Sequence, residues 1–138
     1  MVDRKWIQSI MSSITPKQLF YSLGLSITLF LLIFVFEPIF LLYSVVPIIY
    51  GWVSRDKIGS TVVGVVPTFG FLLYGMLILI GTYDADMSRI KMTLVYFGSL
   101  AGIGGMGGYF GAKRKKEYLI LIIFLSCIWF MIFISGID

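Results

Sequence analysis

Histidine is absent from this chain, cysteine occurs once, and only 13% of residues are charged against 59% that are hydrophobic. Each shortage removes a class of chemistry. Without histidine, the side chain most used for proton transfer near neutral pH and for metal coordination is missing. Cys127 has no second cysteine to pair with, and its apolar setting marks it as packing rather than redox chemistry. The acids are few and scattered. Only Asp84-x-Asp86 brings two together, and two aspartates fall far short of the six to eight oxygens around a calcium ion. The sequence therefore points to no catalytic residue, no metal and no cofactor, and the chain reads as a non-enzyme.

Charge is also missing from five long stretches, 19–36, 39–53, 59–81, 92–112 and 118–137, none of which holds a Lys, Arg, Asp or Glu. A bilayer core of about 30 Å takes roughly 20 residues of apolar helix, so the pattern predicts an all-α, polytopic bundle of five membrane spans in a single domain. With no ionisable group inside any stretch, the usual mark of proton relays, ion sites and voltage sensors is absent, unless Glu37 dips into the membrane. The hydroxyls of Ser26, Thr28, Thr68, Ser99 and Ser126 remain, and isolated hydroxyls in such helices commonly bond back to their own turn.

Basic residues set the orientation. Arg4, Lys5 and Lys17 precede the first stretch, Arg55 and Lys57 follow the second, and Lys113 to Lys116 follow the fourth, whereas only Arg89 and Lys91 fall in the alternate loops. The positive-inside rule then predicts a multi-pass protein of the cell membrane with its N-terminus in the cytoplasm and its C-terminus outside. That scheme needs a hairpin at Glu37-Pro38. Proline is tolerated in a helix's first turn and restricts the residue before it, so a new helix starting at Pro38 is favoured over one long helix kinked there, which would invert every later loop. Stretch 39–53 is short, reaching about 22 Å as a helix, and is expected to lie in thinned bilayer, extend into the interface, or re-enter.

The N-terminal basic and apolar run reads as retained rather than as a cleaved signal, since it is long and lacks a small-x-small site. Within 3–15, Trp6, Ile7, Ile10, Met11 and Ile14 fall on one helical face opposite Arg4, Gln8 and Ser12. This spacing predicts an amphipathic interfacial helix lying on the cytoplasmic leaflet, ended by Pro16. Lys113, Arg114, Lys115 and Lys116 abut a membrane helix on the same side and suit anionic lipid headgroups, while the run is too short to suggest nucleic acid.

The fourth stretch holds Gly98, Gly102, Gly104, Gly105, Gly107, Gly108 and Gly111, several at small-xxx-small spacing. In lipid such positions stabilise helix association by letting backbones approach, so this helix is expected at a bundle centre or at a contact with another subunit. Gly102-x-Gly104-x-x-Gly107 matches the letters of a dinucleotide fingerprint, but no strand precedes it and no aqueous phosphate site is available. Pro67 removes one hydrogen bond near the middle of the third stretch and predicts a kink there, with Pro38 as a second break. Finally, Tyr50, Arg55 and Lys57 recur as Tyr109, Arg114 and Lys116 at constant separation, a trace of a parallel repeat. The expected role is a non-enzymatic packing, assembly or accessory subunit, as a homo-oligomer or within a larger membrane complex. The alternative is a small oligomeric channel or transporter built on the kinked third span.

Overall fold

In the computed structural model, residues 4–13, 15–82 and 86–136 are described, and all of their regular structure is helical. The helices are α1 (Arg4–Ser13), α2 (Pro16–Leu32), α3 (Val46–Ser54), α4 (Lys57–Thr82), α5 (Met87–Lys113) and α6 (Glu117–Ser135), with a 3-10 helix, Glu37–Tyr43, between α2 and α3. Lys57–Gly81 and Glu117–Ser135 are long and apolar enough to cross a membrane, and the 3-10 helix with α3 makes a third if that bent pair is one span. α2 is shorter, 17 residues or about 26 Å. α5 is longer, at 27 residues, but glycine dilutes its hydropathy because it brings no side chain to transfer.

Local chemistry sets the ends. Pro16 opens α2, where its missing N–H has no helical partner to lose. Asp56 accepts from the backbone N–H groups of Ile58 at 3.1 Å and Gly59 at 2.9 Å, capping α4, and Asp86 accepts from Ser88 N–H to cap α5. α3 and α5 both close on an arginine in the left-handed conformation, Arg55 at φ 58° and Arg114 at φ 50°. The sequence echo between these turns is thus matched by the same unusual backbone.

One expectation changes. Stretch 39–53 is not a single short helix: the 3-10 helix and α3 meet at a bend of 47°. Pro38 lies in the first turn of the 3-10 helix and Pro47 in that of α3, so the segment starts twice. A 3-10 helix also rises faster, about 2.0 Å per residue, so seven residues of it reach about 14 Å where α-helix would reach about 10 Å. At the other proline, α4 continues through Pro67 as one helix, with Pro67 fully buried.

Neighbouring residues give the helix directions. Ser22 lies beside Gly59, Phe30 beside Gly70, and the Phe34 and Tyr74 rings are 5.0 Å apart, so α2 and α4 run parallel. Gly64 meets Gly104 and Ser60 meets Gly108, while Phe71 packs on Phe97, so α4 and α5 are antiparallel. Ile48 lies on Gly107 and Gly111, and Gly51 on Gly108 and Ala112, which makes α3 parallel to α5. Leu100 against Trp129 and Phe110 against Tyr118 make α6 antiparallel to α5. α2, α4 and α6 therefore point one way, and α3 and α5 the other.

α5 is the axis around which α3, α4 and α6 pack. A Cβ on Gly64 would strike the Gly104 carbonyl, one on Gly108 the Ser60 carbonyl, and one on Gly51 would stand 2.6 Å from the Gly108 oxygen. Such spacings exist only without side chains, and they replace hydrophobic exclusion from water as the means of association in lipid. A core of Leu29, Ile33, Phe40, Tyr43, Val63, Leu100 and Trp129 fills the bundle. Three aromatic donors stitch its segments: Tyr43 Oη donates to the Leu29 carbonyl at 2.8 Å, Trp129 Nε1 to that of Leu100 at 3.1 Å, and Tyr96 Oη to that of Phe133 at 3.0 Å.

Candidate functional site

The alternating directions gather most of the basic residues at one end, with Arg89 and Lys91 at the start of α5 on the other. Lys17 at the start of α2, Arg55 and Lys57 at the α3–α4 turn, and Lys113 to Lys116 at the α5–α6 turn all lie at the basic end. Two of the four residues in the α5–α6 run are engaged within the protein. Arg114 donates through Nε to the Trp52 carbonyl and through Nη2 to that of Val53 at 3.2 Å, with its guanidinium 5.8 Å from the Trp52 ring. A cation thus closes the C-terminus of α3, where the helix dipole and unpaired carbonyls are most negative. Lys113 places Nζ 4.7 Å from the Tyr109 ring centre, 5.0 Å from Tyr118 and 5.4 Å from Phe110, inside a cage of π faces. Lys115 and Lys116 are exposed, as are Arg55 and Lys57.

The seven glycines of α5 divide into two groups. Gly104, Gly105, Gly107, Gly108 and Gly111 are buried against α3 and α4. Gly98 and Gly102 are exposed, and a Cβ on either would meet nothing within 4 Å. With Val95, Met106 and Tyr109, also exposed, they form one outward face of the helix. A groove of about 350 Å³ runs along it between Thr61 and Val65 of α4 and Met106 and Tyr109 of α5.

Four of the five hydroxyls singled out in the sequence are satisfied locally. Ser26 donates to Ser22 at 2.7 Å, Thr28 to Gly24 at 2.8 Å, Thr68 to Gly64 at 3.5 Å and Ser99 to Val95 at 2.7 Å, in each case to the carbonyl one turn back. In the acid pair, Asp86 caps α5 and Asp84 lies outside the described residues. No group of three or more possible ligand residues is assembled among the described residues.

The opposite end of the bundle holds a feature that no single motif in the sequence announces, a cleft of about 460 Å³. Its walls are aromatic: Phe40 from the 3-10 helix, Phe71 and Tyr74 from α4, Tyr96 and Phe97 from α5, and Phe133 from α6. The rings pack on one another, Phe40 with Phe71 at 5.4 Å, Phe71 with Phe97 at 5.5 Å and Phe40 with Phe133 at 5.0 Å. Glu37, at the start of the 3-10 helix, is the only charged residue of the lining. The available signal was the clustering of aromatic residues toward the same end of successive apolar stretches.

No family model, no curated protein and no solved structure matches this chain. The arrangement itself thus carries the functional reading: a basic end, an outward glycine face, and an aromatic cleft with one carboxylate.

Proposed function

We propose that this protein is a five-span, non-enzymatic membrane subunit that assembles by helix packing, inserted with its N-terminus in the cytoplasm and its C-terminus outside. α2, the bent 3-10 helix and α3 pair, α4, α5 and α6 supply the five crossings in alternating directions. The basic end faces the cytoplasm, where Lys115 and Lys116 meet anionic headgroups at about 1 kcal/mol per basic residue. α1, with Arg4, Lys5, Ile7 and Gln8 exposed, lies along that leaflet as an interfacial helix.

The observation that carries the assembly role is the uncovered Gly98-xxx-Gly102 pair, left outside the contacts that consume the other five glycines. Its face carries both a recess, at the two glycines, and projecting side chains, Val95 and Met106. A second copy related by a two-fold axis would fit projection to recess, as an isologous dimer requires. The test is disulfide crosslinking in membranes of the Val95→Cys variant, made in a Cys127→Ser background. A dimer that forms with Val95→Cys and is abolished by adding Gly102→Ile supports the reading. A chain that stays monomeric as the lipid-to-protein ratio is lowered would overturn it. Crosslinks exclusively to a different protein would replace the homodimer with a larger complex.

A further inference from the structure

We propose that the aromatic cleft is a binding site for a lipophilic cation, a hydrophobic body carrying a quaternary or protonated nitrogen, with Glu37 as its counter-charge. This goes beyond assembly and does not rest on it, since the cleft and the Gly98–Gly102 face are different surfaces.

Three observations converge on that ligand chemistry. The cleft's volume of about 460 Å³ falls within the usual range for small-molecule sites, roughly 300 to 1,000 Å³. Its lining is mostly aromatic rings, whose faces attract a cation through their negative quadrupole and which take an apolar body by contact. Its charge is of one sign. Glu37 is the only Asp, Glu, Lys or Arg among the lining residues, it is exposed, and among the described residues it has neither a hydrogen-bonded side-chain partner nor an ion pair. A carboxylate beside aromatic walls disfavours anions and adds an attraction for a cation that a neutral apolar ligand lacks.

The walls are also preorganised. Tyr96 is held by its bond to the Phe133 carbonyl, and Phe40 is braced by Phe133 and, at 5.7 Å, by Trp129. These contacts fix ring orientation before a ligand arrives, reducing the ordering cost of binding. The opposite end shows the same chemistry satisfied from within, where Lys113 occupies the faces of Tyr109, Phe110 and Tyr118. At the Glu37 end no cation of the described chain fills the rings.

The probe is dodecyltrimethylammonium, with dodecanol as its uncharged counterpart, titrated against the full chain in nanodiscs of zwitterionic lipid. Trp129 fluorescence is the signal, read with Trp6 and Trp52 replaced by Phe, because this indole stacks on Phe133 and lies beside Phe40. The expected result is saturable quenching by the cation, at least tenfold weaker affinity in Glu37→Gln, and no saturable response to dodecanol. Phe97→Leu, which keeps an apolar side chain but removes a ring, should weaken cation binding severalfold. An unchanged emission maximum in the free variants separates loss of binding from loss of fold. Equal responses to cation and alcohol, or an unaltered affinity in Glu37→Gln with the fold intact, would overturn the proposal and make the cleft a slot for lipid tails.

Discussion

Gly64 and Gly98 are both small residues on long helices, yet opposite demands are placed on them. A Cβ on Gly64 points at the backbone of Gly104, which cannot move aside without shifting a helix, whereas a Cβ on Gly98 enters open space. Gly64→Ala should therefore destabilise the monomer by about 1–3 kcal/mol, the usual cost of overpacking, and Gly98→Ala by about 0.5 kcal/mol or less. Denaturation in mixed micelles with increasing SDS measures both, and equal effects would contradict the packing described. The sequence showed that glycines were concentrated here, but not which were covered, because spacing along one helix says nothing of where its neighbours lie. The same holds for Arg114 and Lys113. Both were legible as positive charges at a membrane edge, while their use, one capping α3 and the other caged by rings, depends on residues up to 62 positions away.

Among the helices, α6 is held to α5 by directional bonds as well as by packing. Trp129 is almost wholly buried and its Nε1 donates to the Leu100 carbonyl. Trp129→Phe keeps a ring against Phe40 and Phe133 but removes that donor. It should cost about 1–3 kcal/mol, combining the bond with the smaller ring volume. Loss of stability confined to the α5–α6 pair, read by hydrogen exchange, is the expected pattern, and uniform loss across α2 would contradict it. Helix existence was largely written in the apolar runs, and the turn at Glu37-Pro38 was legible from proline chemistry. The break between Tyr43 and Val46 was not, because Pro47 looks equally at home in the first turn of a new helix or inside a kinked one. Helix starts were blurred for a similar reason: α5 begins at Met87, five residues before the apolar run, since Ser88, Arg89 and Lys91 continue a helix that Asp86 caps.

For the molecule as a whole, the proposed orientation draws on the loop charges and the helix directions together. Counting Lys and Arg by loop gives alternating sides, and the neighbouring residues of the folded chain give alternating directions. The proposed orientation has a direct consequence for labelling. In a Cys127→Ser background, a membrane-impermeant maleimide added to intact cells should modify the Asp86→Cys variant and leave Lys115→Cys unmodified until the membrane is opened. The reverse pattern would invert the topology, and equal labelling of both would contradict it. The aromatic cleft could not be read from any one stretch, because its walls come from four segments whose directions had to be known first. Only Glu37 stood out in advance, as an acid beside a turn.

The bond from Arg114 to the end of α3 reaches across 61 and 62 residues, and it bears on the order in which the protein is made. α3 has nine residues and meets its glycine-rich partner surface only when α5 arrives. During synthesis, then, the shortest α-helix leaves the ribosome early and waits for most of the remaining chain before its last carbonyls are capped and its inner face is covered. Maturation of the first hairpin is tied to completion of the second. A nascent chain halted after α4 would hold α3 against α4 and the 3-10 helix alone, with the face that α5 covers left open.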